Sequence, residues 1–229
     1  MTVFWQLLLA HLLTDFTFQT NSIAAWKRKS VWGVLIHSGI FLILSVIFTW
    51  HELGNIWWKF PGYVCIGILF LMHFAEDFYR IISIKRAGSP DNIFFFIWDQ
   101  SIHVIFIFLF SPLLTGNIAV EKPFIILSLA VLVTHFTSIL IYYIEESVYG
   151  SDPAANRLKG KYFLILERLF IFVCMLLPGY WWVIFPSAWI VRPLLHKNKT
   201  DFSFSWVNVI ISNLSAVGLG ALSRIIIYS

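Results

Sequence analysis

The chain has 229 residues, of which 59% are hydrophobic and only 12% charged, and its mean hydropathy is +0.81. Such a composition excludes a soluble globular domain and calls for a bilayer around the molecule. The net charge of +4 sits in short basic clusters between apolar runs and forms no continuous stripe, which excludes a nucleic-acid surface.

A spanning helix needs about 20 mostly apolar residues, and candidate runs follow one another over 3–22, 32–51, 61–82, 93–114, 123–147, 161–177, 179–195 and 205–227. The first lacks a basic start and contains His11 and Asp15, so it reads as a retained helix and not a signal peptide. Pro178-Gly179 joins the sixth and seventh runs so tightly that they form a steep hairpin or a pair of partial spans, leaving six or seven full spans as alternatives. The predicted fold class is an all-α polytopic bundle of about eight spans. It is one integral membrane domain over 1–229, with the polar helices in 1–115 and supporting helices in 116–229.

Basic residues orient the bundle. Lys27, Arg28 and Lys29 follow the first run; Arg80, Lys85 and Arg86 the third; Arg157, Lys159 and Lys161 the fifth; Arg192, Lys197 and Lys199 the seventh. Lysine and arginine accumulate in short cytoplasmic loops, so these four loops are expected inside and both termini outside. Trp26 and Trp32 near the inner ends, with Trp57, Trp58, Trp181 and Trp182 near the outer ends, fit aromatic belts at the two interfaces. Connections are short, so function is expected between helices or at their ends. Cys65 and Cys174 each stand alone in an apolar run and read as packing residues.

Charge inside hydrocarbon costs about 2.5–3.5 kcal/mol per aspartate even on the lenient insertion scale. In the first run His11, Asp15 and Gln19 recur every four residues and share a face; the third run carries His73 and Asp77, the fourth Asp99 and His103 in the inverse order, the second His37, and Gln100 stands beside Asp99. With the orientation above, all of them fall in the inner half of the bilayer, which predicts one inward-facing polar cavity among the first four helices. Neutral imidazoles with carboxylates suit zinc, manganese or iron, as one ion or two. A bound ion lowers the pKa of its water and turns it on a phosphoryl or acyl centre. Each pair equally allows an aspartate that merely orients its histidine, and polar groups in bundles also bond across helices to satisfy one another. A third use of the same residues is proton exchange or cation passage in a transporter or channel.

The second half carries less chemistry. His135 reads as an interhelical donor, and Glu145 and Glu146 as a solvated rim at the inner end of the fifth run. Glu167 and Arg168 are adjacent on a helix and point roughly 100° apart, so each needs a partner elsewhere; Glu167 is at the level to close the cavity. The turn-forming loop from Gly150-Ser151-Asp152-Pro153 to Lys161 reads as an ordinary connection beside the site.

The motifs His11-x-x-x-Asp15-Phe16-x-x-Gln19, His73-x-x-x-Asp77 and Asp99-Gln100-x-x-His103, with His37 between the first two, resemble a bacterial multi-pass membrane family defined as a domain of unknown function. The likeness covers mainly the first 110 residues. The Gly160 to Glu167-Arg168 stretch and Trp189 to Arg192 look like the C-terminal part of longer members, and Arg80 departs from the family pattern. The resemblance implies a bacterial inner (cytoplasmic) membrane protein and supplies no activity. A looser similarity, of residue types only, is to membrane-bound metal-dependent hydrolases.

The leading expectation is therefore a metal-dependent membrane hydrolase or group transferase acting on a lipid-like or phosphate-bearing substrate reached from the cytoplasm. Its ligands would be His11, Asp15, His37, His73, Asp77, Asp99 and His103, its acid–base groups come from Asp15, Asp77, Asp99 and Glu167, and its substrate contacts are Gln19, Gln100, Lys27, Arg28, Arg80, Lys85 and Arg86. Membrane lipids surround it, and nucleic acid is not a partner. The alternatives are a proton- or cation-coupled transporter or channel, and a non-catalytic subunit that joins a homo- or hetero-oligomer.

Overall fold

A computed structural model describes residues 1–89, 91–112, 118–151, 161–184, 186–187 and 205–229. They are almost entirely helical, with a single antiparallel ribbon of Ile56–Trp57 (β1) on Phe60–Pro61 (β2). The helices are α1 (Thr2–Leu12), α2 (Asn21–Lys29), α3 (Val31–Phe48), α4 (Gly62–Arg86), α5 (Ile93–Phe110), α6 (Ile118–Val131), α7 (Thr137–Tyr149), α8 (Lys161–Met175) and α9 (Trp206–Tyr228). Among the described residues, four helical runs are long and apolar enough to cross a membrane: Val31–Phe48, Ile93–Phe110, Val120–Tyr149 and Trp206–Tyr228. The end of the seventh predicted run with Trp189 to Arg192, the predicted loop from Asp152 to Gly160, and the basic positions Arg157, Lys159, Lys197 and Lys199 lie outside the described residues.

The first predicted run, 3–22, is not one helix. After Leu12 the backbone widens into a π turn over Leu13–Phe18 and leaves the helical region at Gln19 (φ −73°, ψ 76°). Thr20 then starts α2 by accepting a hydrogen bond from the Ile23 amide at 3.3 Å, and Ser30 starts α3 in the same way from Trp32 at 3.2 Å. Both hydroxyls satisfy amides that a helix start leaves open. Between these caps α2 is short, charged at its end and without buried residues. It lies against the start of α3 at Gly33, where a Cβ atom would stand only 2.5 Å from the Trp26 carbonyl carbon and the Lys27 amide nitrogen. Only glycine lets the two backbones approach so closely.

The described residues form two compact units, Met1–Ser128 and Leu129–Ser229. In the first, α1 is buried almost throughout, from Val3 to Leu12, and packs on α3 and α5, while α4 packs on α3 and α5. Leu7, Val34, Phe41, Ile66, Leu69 and Ile107 make its apolar core. The Met1 ammonium lies 2.6 Å from Glu121 Oε1 and ties the start of α1 to α6. After α4 the chain turns at Gly88 (φ +66°), and the Ser89 amide reaches back to the Ser83 carbonyl at 3.1 Å.

In the second unit a further π turn, Leu132–Phe136, joins the end of α6 to α7, and α8 and α9 pack along each other. Arg168 of α8 is wholly buried and donates to the Thr134 carbonyl, to Ser212 Oγ at 3.0 Å and to Ser138 Oγ, so its charge is met by oxygens from three segments. Glu145 corrects the expectation of a solvated rim: it is buried and accepts from Ser205 Oγ, which itself accepts the Asn208 amide at 3.0 Å to cap α9. A carboxylate that gains such a donor no longer needs the interface to solvate it.

Candidate functional site

The π turn in the first unit holds Asp15. A turn closed by i→i+5 bonds takes more than four residues, so side chains four apart on it stay on one side, and Asp15 Oδ1 lies 3.8 Å from His11 Nδ1. From α3, His37 brings Nε2 to 3.1 Å from the same oxygen and 3.4 Å from Asp77 Oδ2. From α4, His73 Nε2 stands 3.5 Å from Asp15 Oδ1 and 3.6 Å from Asp77 Oδ2. From α5, the His103 ring lies 4.5 Å from that of His73 and 5.0 Å from that of His11, centroid to centroid. Four helices and the π turn thus deliver four imidazoles and two carboxylates into one buried cluster.

Two of the three carboxylates share an arrangement. Asp15 has Oδ2 held by Gln100 Nε2 at 3.1 Å and Oδ1 turned to the imidazoles. Asp77 has Oδ1 held by Lys27 Nζ at 2.6 Å, while Oδ2 is buried and accepts no hydrogen bond. Asp99 has Oδ2 held by Arg80 at 2.8 Å and by Gln100 at 3.1 Å, while Oδ1 is likewise buried and unbonded. Asp77 and Asp99 are therefore each anchored by one oxygen and present the other, whereas Asp15 accepts at both, Oδ1 from His37 Nε2 at 3.1 Å and Oδ2 from Gln100.

The imidazoles are also unsatisfied. Both ring nitrogens of His11, Nδ1 of His37 and Nε2 of His73 and His103 are buried without a hydrogen bond. His103 Nδ1 lies 2.8 Å from the Asp99 carbonyl, which only accepts, so that nitrogen carries a proton and, in the neutral ring, Nε2 carries the lone pair. Buried polar atoms left bare cost about 1–3 kcal/mol each, and the bare atoms here are imidazole nitrogens and carboxylate oxygens, types that can ligate a metal. The groups His11/Asp15/His73 and His37/His73/Asp77 each offer three ligand atoms within 4.8 Å of one another. Metal bonds of about 2.0–2.2 Å put neighbouring ligand atoms about 3.3–3.6 Å apart at a tetrahedral centre, and the contacts of His37 and His73 to Asp77, at 3.4 and 3.6 Å, fall there.

The remaining candidates divide. Gln19 accepts from Lys27 Nζ at 3.3 Å, so Lys27, Gln19 and Gln100 border the cluster directly. Arg80 joins it through Asp99 and also contacts Asp91 at 3.0 Å. Arg28, Lys85 and Arg86 are exposed, and Glu167 belongs to the second unit. One participant escapes the sequence reading: Phe41, one turn beyond His37, stacks on the His73 ring at 4.9 Å and meets His11 edge-on. Its signal was the four-residue spacing from His37, hidden because an apolar ring on an apolar helix looks like core. Phe41 and His73, with Leu69, Met72, His103 and Ile107, also line a small apolar crevice beside the cluster.

Residues 3–125 match the model of the family described as Protein of unknown function (DUF3307). No curated protein and no solved structure matches the chain.

Proposed function

The chain belongs to that family, whose matched residues carry the whole cluster, and we propose that the cluster is a divalent-metal centre for hydrolysis or group transfer on a lipid-like or phosphate-bearing substrate. In this reading the chain is a bundle of about eight spans in a bacterial inner membrane, with both termini outside and the site reached from the cytoplasm. The observation that carries it is the set of buried, unbonded ligand atoms: His11 Nδ1 and Nε2, His73 Nε2, His103 Nε2, Asp77 Oδ2 and Asp99 Oδ1. A polar network that existed only to satisfy itself would close these bonds, because each open one costs about 1–3 kcal/mol. A cation among them removes the cost.

When bound, zinc, manganese or iron would lower the pKa of a ligated water and polarise a phosphoryl or acyl oxygen. His37, His73, Asp77 and Asp15 are the residues that would hold it. Asp99 lies outside both three-residue sets and serves as general base, taking a proton from the attacking water while Arg80 and Gln100 fix its other oxygen. On a phosphoester the water oxygen bonds to phosphorus, the ester P–O bond breaks, and the departing alcohol receives a proton. Lys27 and Arg80 are the cations nearest the cluster and match an anionic substrate group.

Elemental analysis of the purified protein tests the reading, wild type against Asp15→Asn and His73→Ala. Stoichiometric metal in the wild type that disappears from both variants supports it. A metal-free wild type that stays metal-free after incubation with zinc or manganese overturns it, and proton-coupled flux through such a protein in liposomes would identify a transporter instead.

A further inference from the structure

Three carboxylates, Asp15, Asp77 and Asp99, are buried in the cluster, and among the described residues only two cations reach them: Lys27 lies 2.6 Å from Asp77 Oδ1 and Arg80 2.8 Å from Asp99 Oδ2. Asp15 is met by an amide and imidazoles instead. The Gln100 nitrogen that donates to its Oδ2 at 3.1 Å donates also to Asp99 Oδ2 at 3.1 Å. Both hydrogens of that amide are thereby committed, so a neutral side chain stands between two carboxylates where a cation would have balanced them. The imidazoles add no charge. His37 and His73 ligate only as neutral rings; His11 has no acceptor at either nitrogen and His103 none at Nε2, so a second proton on either would be buried without a partner. Glu76, beside Asp77 on α4, is half-buried and Asp91 is exposed, so water solvates both. The buried groups are therefore one negative charge in excess.

One divalent ion on His37, His73 and Asp77 turns that excess into a single positive charge. Passing a proton from a ligated water to Asp99 leaves the sum as it was, because the proton stays inside. An unbalanced charge in a low-dielectric interior is costly, so the loaded site is completed by a ligand that brings one negative charge. Resting on the metal reading above, we propose that the substrate is a phosphodiester, whose two non-bridging oxygens share one negative charge. A phosphomonoester brings about two charges above pH 7, and a carboxylic ester brings none; each leaves the interior unbalanced. In the reaction the water oxygen bonds to phosphorus, one ester P–O bond breaks, and the departing alkoxide takes the proton held by Asp99. The monoester that remains loses a further proton in solution and no longer matches the site, which favours its release.

The test uses the full chain in a phosphate-free maltoside detergent, loaded with Mn²⁺, and compares dimethyl phosphate with methyl phosphate at pH 8 by calorimetry. The doubly charged methyl phosphate is the better ligand for a free cation, so the opposite order is diagnostic. Dimethyl phosphate is expected to bind the wild type more tightly by at least about tenfold. Gln100→Lys adds a positive charge and should narrow or reverse the preference; Lys27→Met removes one and should widen it while weakening both ligands. The wild-type order stands without either variant, so a variant that fails to fold does not remove the test. Transfer into phosphatidylglycerol nanodiscs identifies the source: dimethyl phosphate binding that is lost there assigns the diester to a lipid, and binding that is kept assigns it to a soluble molecule, both in support. A wild type that retains Mn²⁺ and prefers methyl phosphate, or binds neither, overturns the diester and leaves the metal centre standing. A wild type that retains no Mn²⁺ overturns both readings.

Discussion

Lys27 Nζ lies 2.6 Å from Asp77 Oδ1, although the lysine belongs to α2 and the aspartate to α4. The ammonium also donates to Gln19 Oε1 at 3.3 Å, so it closes the cluster from the side where the first helix breaks. A basic residue read from the sequence as a marker of the cytoplasmic loop is thus a member of the buried charge balance.

Two effects of removing Lys27 oppose each other. Loss of the group that orients Asp77 costs about 10–100-fold in metal affinity. Repulsion between an ammonium and a nearby divalent ion amounts to several kcal/mol at an effective dielectric of about 20, which is the larger effect. Lys27→Met is therefore expected to retain Mn²⁺ more tightly than the wild type, by at least about tenfold, measured by chelator competition. Weaker binding would show that orientation of Asp77 dominates.

Arg80 touches two aspartates of unequal burial, Asp99 at 3% side-chain exposure and Asp91 at 46%. Exposed ion pairs contribute about 0–1 kcal/mol, whereas breaking a buried pair costs about 3–5 kcal/mol. Asp91→Asn should leave the thermal midpoint within a degree or two of wild type. Asp99→Asn should lower it several-fold more, in the same detergent.

Gly33 sets how α2 sits on α3, and through α2 the position of Lys27. The nearest atoms to an added Cβ are backbone atoms at 2.5 Å, which cannot rotate away. Gly33→Ala should destabilise the unit by about 1–3 kcal/mol through overpacking and should displace α2 from the cluster. Labelling of a cysteine placed at position 27, with and without the Gly33→Ala change, reads the displacement; equal accessibility would refute it.

Arg168 is expected to act as a structural cross-link of the second unit. Its guanidinium donates to Thr134, Ser138 and Ser212, and hydrogen bonds to charged groups contribute about 1.5–3 kcal/mol each. Arg168→Ala should lower the unfolding midpoint strongly, and Arg168→Lys should recover only part, since an ammonium cannot span three partners in a fork. Metal content is the control, because Arg168 lies in the unit that does not hold the cluster.

The class of molecule and most of its helices are properties of the linear chain. Hydropathy over about 20 residues and i, i+4 spacing are local quantities, so runs such as 32–51 and 93–114 differ from α3 and α5 by only a few residues at their ends. The same local rule made His11, Asp15, His73, Asp77, Asp99 and His103 visible as pairs. It misjudged the end of 3–22, where the helix widens and stops at Phe18 and a new one starts at Asn21, because the Thr20 cap and the π turn at Asp15 are decided by hydrogen bonds and not by hydropathy.

Only the tertiary structure decided which oxygen of Asp77 and of Asp99 is anchored and which is offered, that Lys27 enters the cluster, that Phe41 stacks on His73, and that Glu145 is buried under Ser205. These relationships join residues from separate helices, with nothing periodic to announce them. They arise because burial leaves every polar atom to find a partner wherever the packed helices place one, and that placement is set by the shapes of many side chains at once.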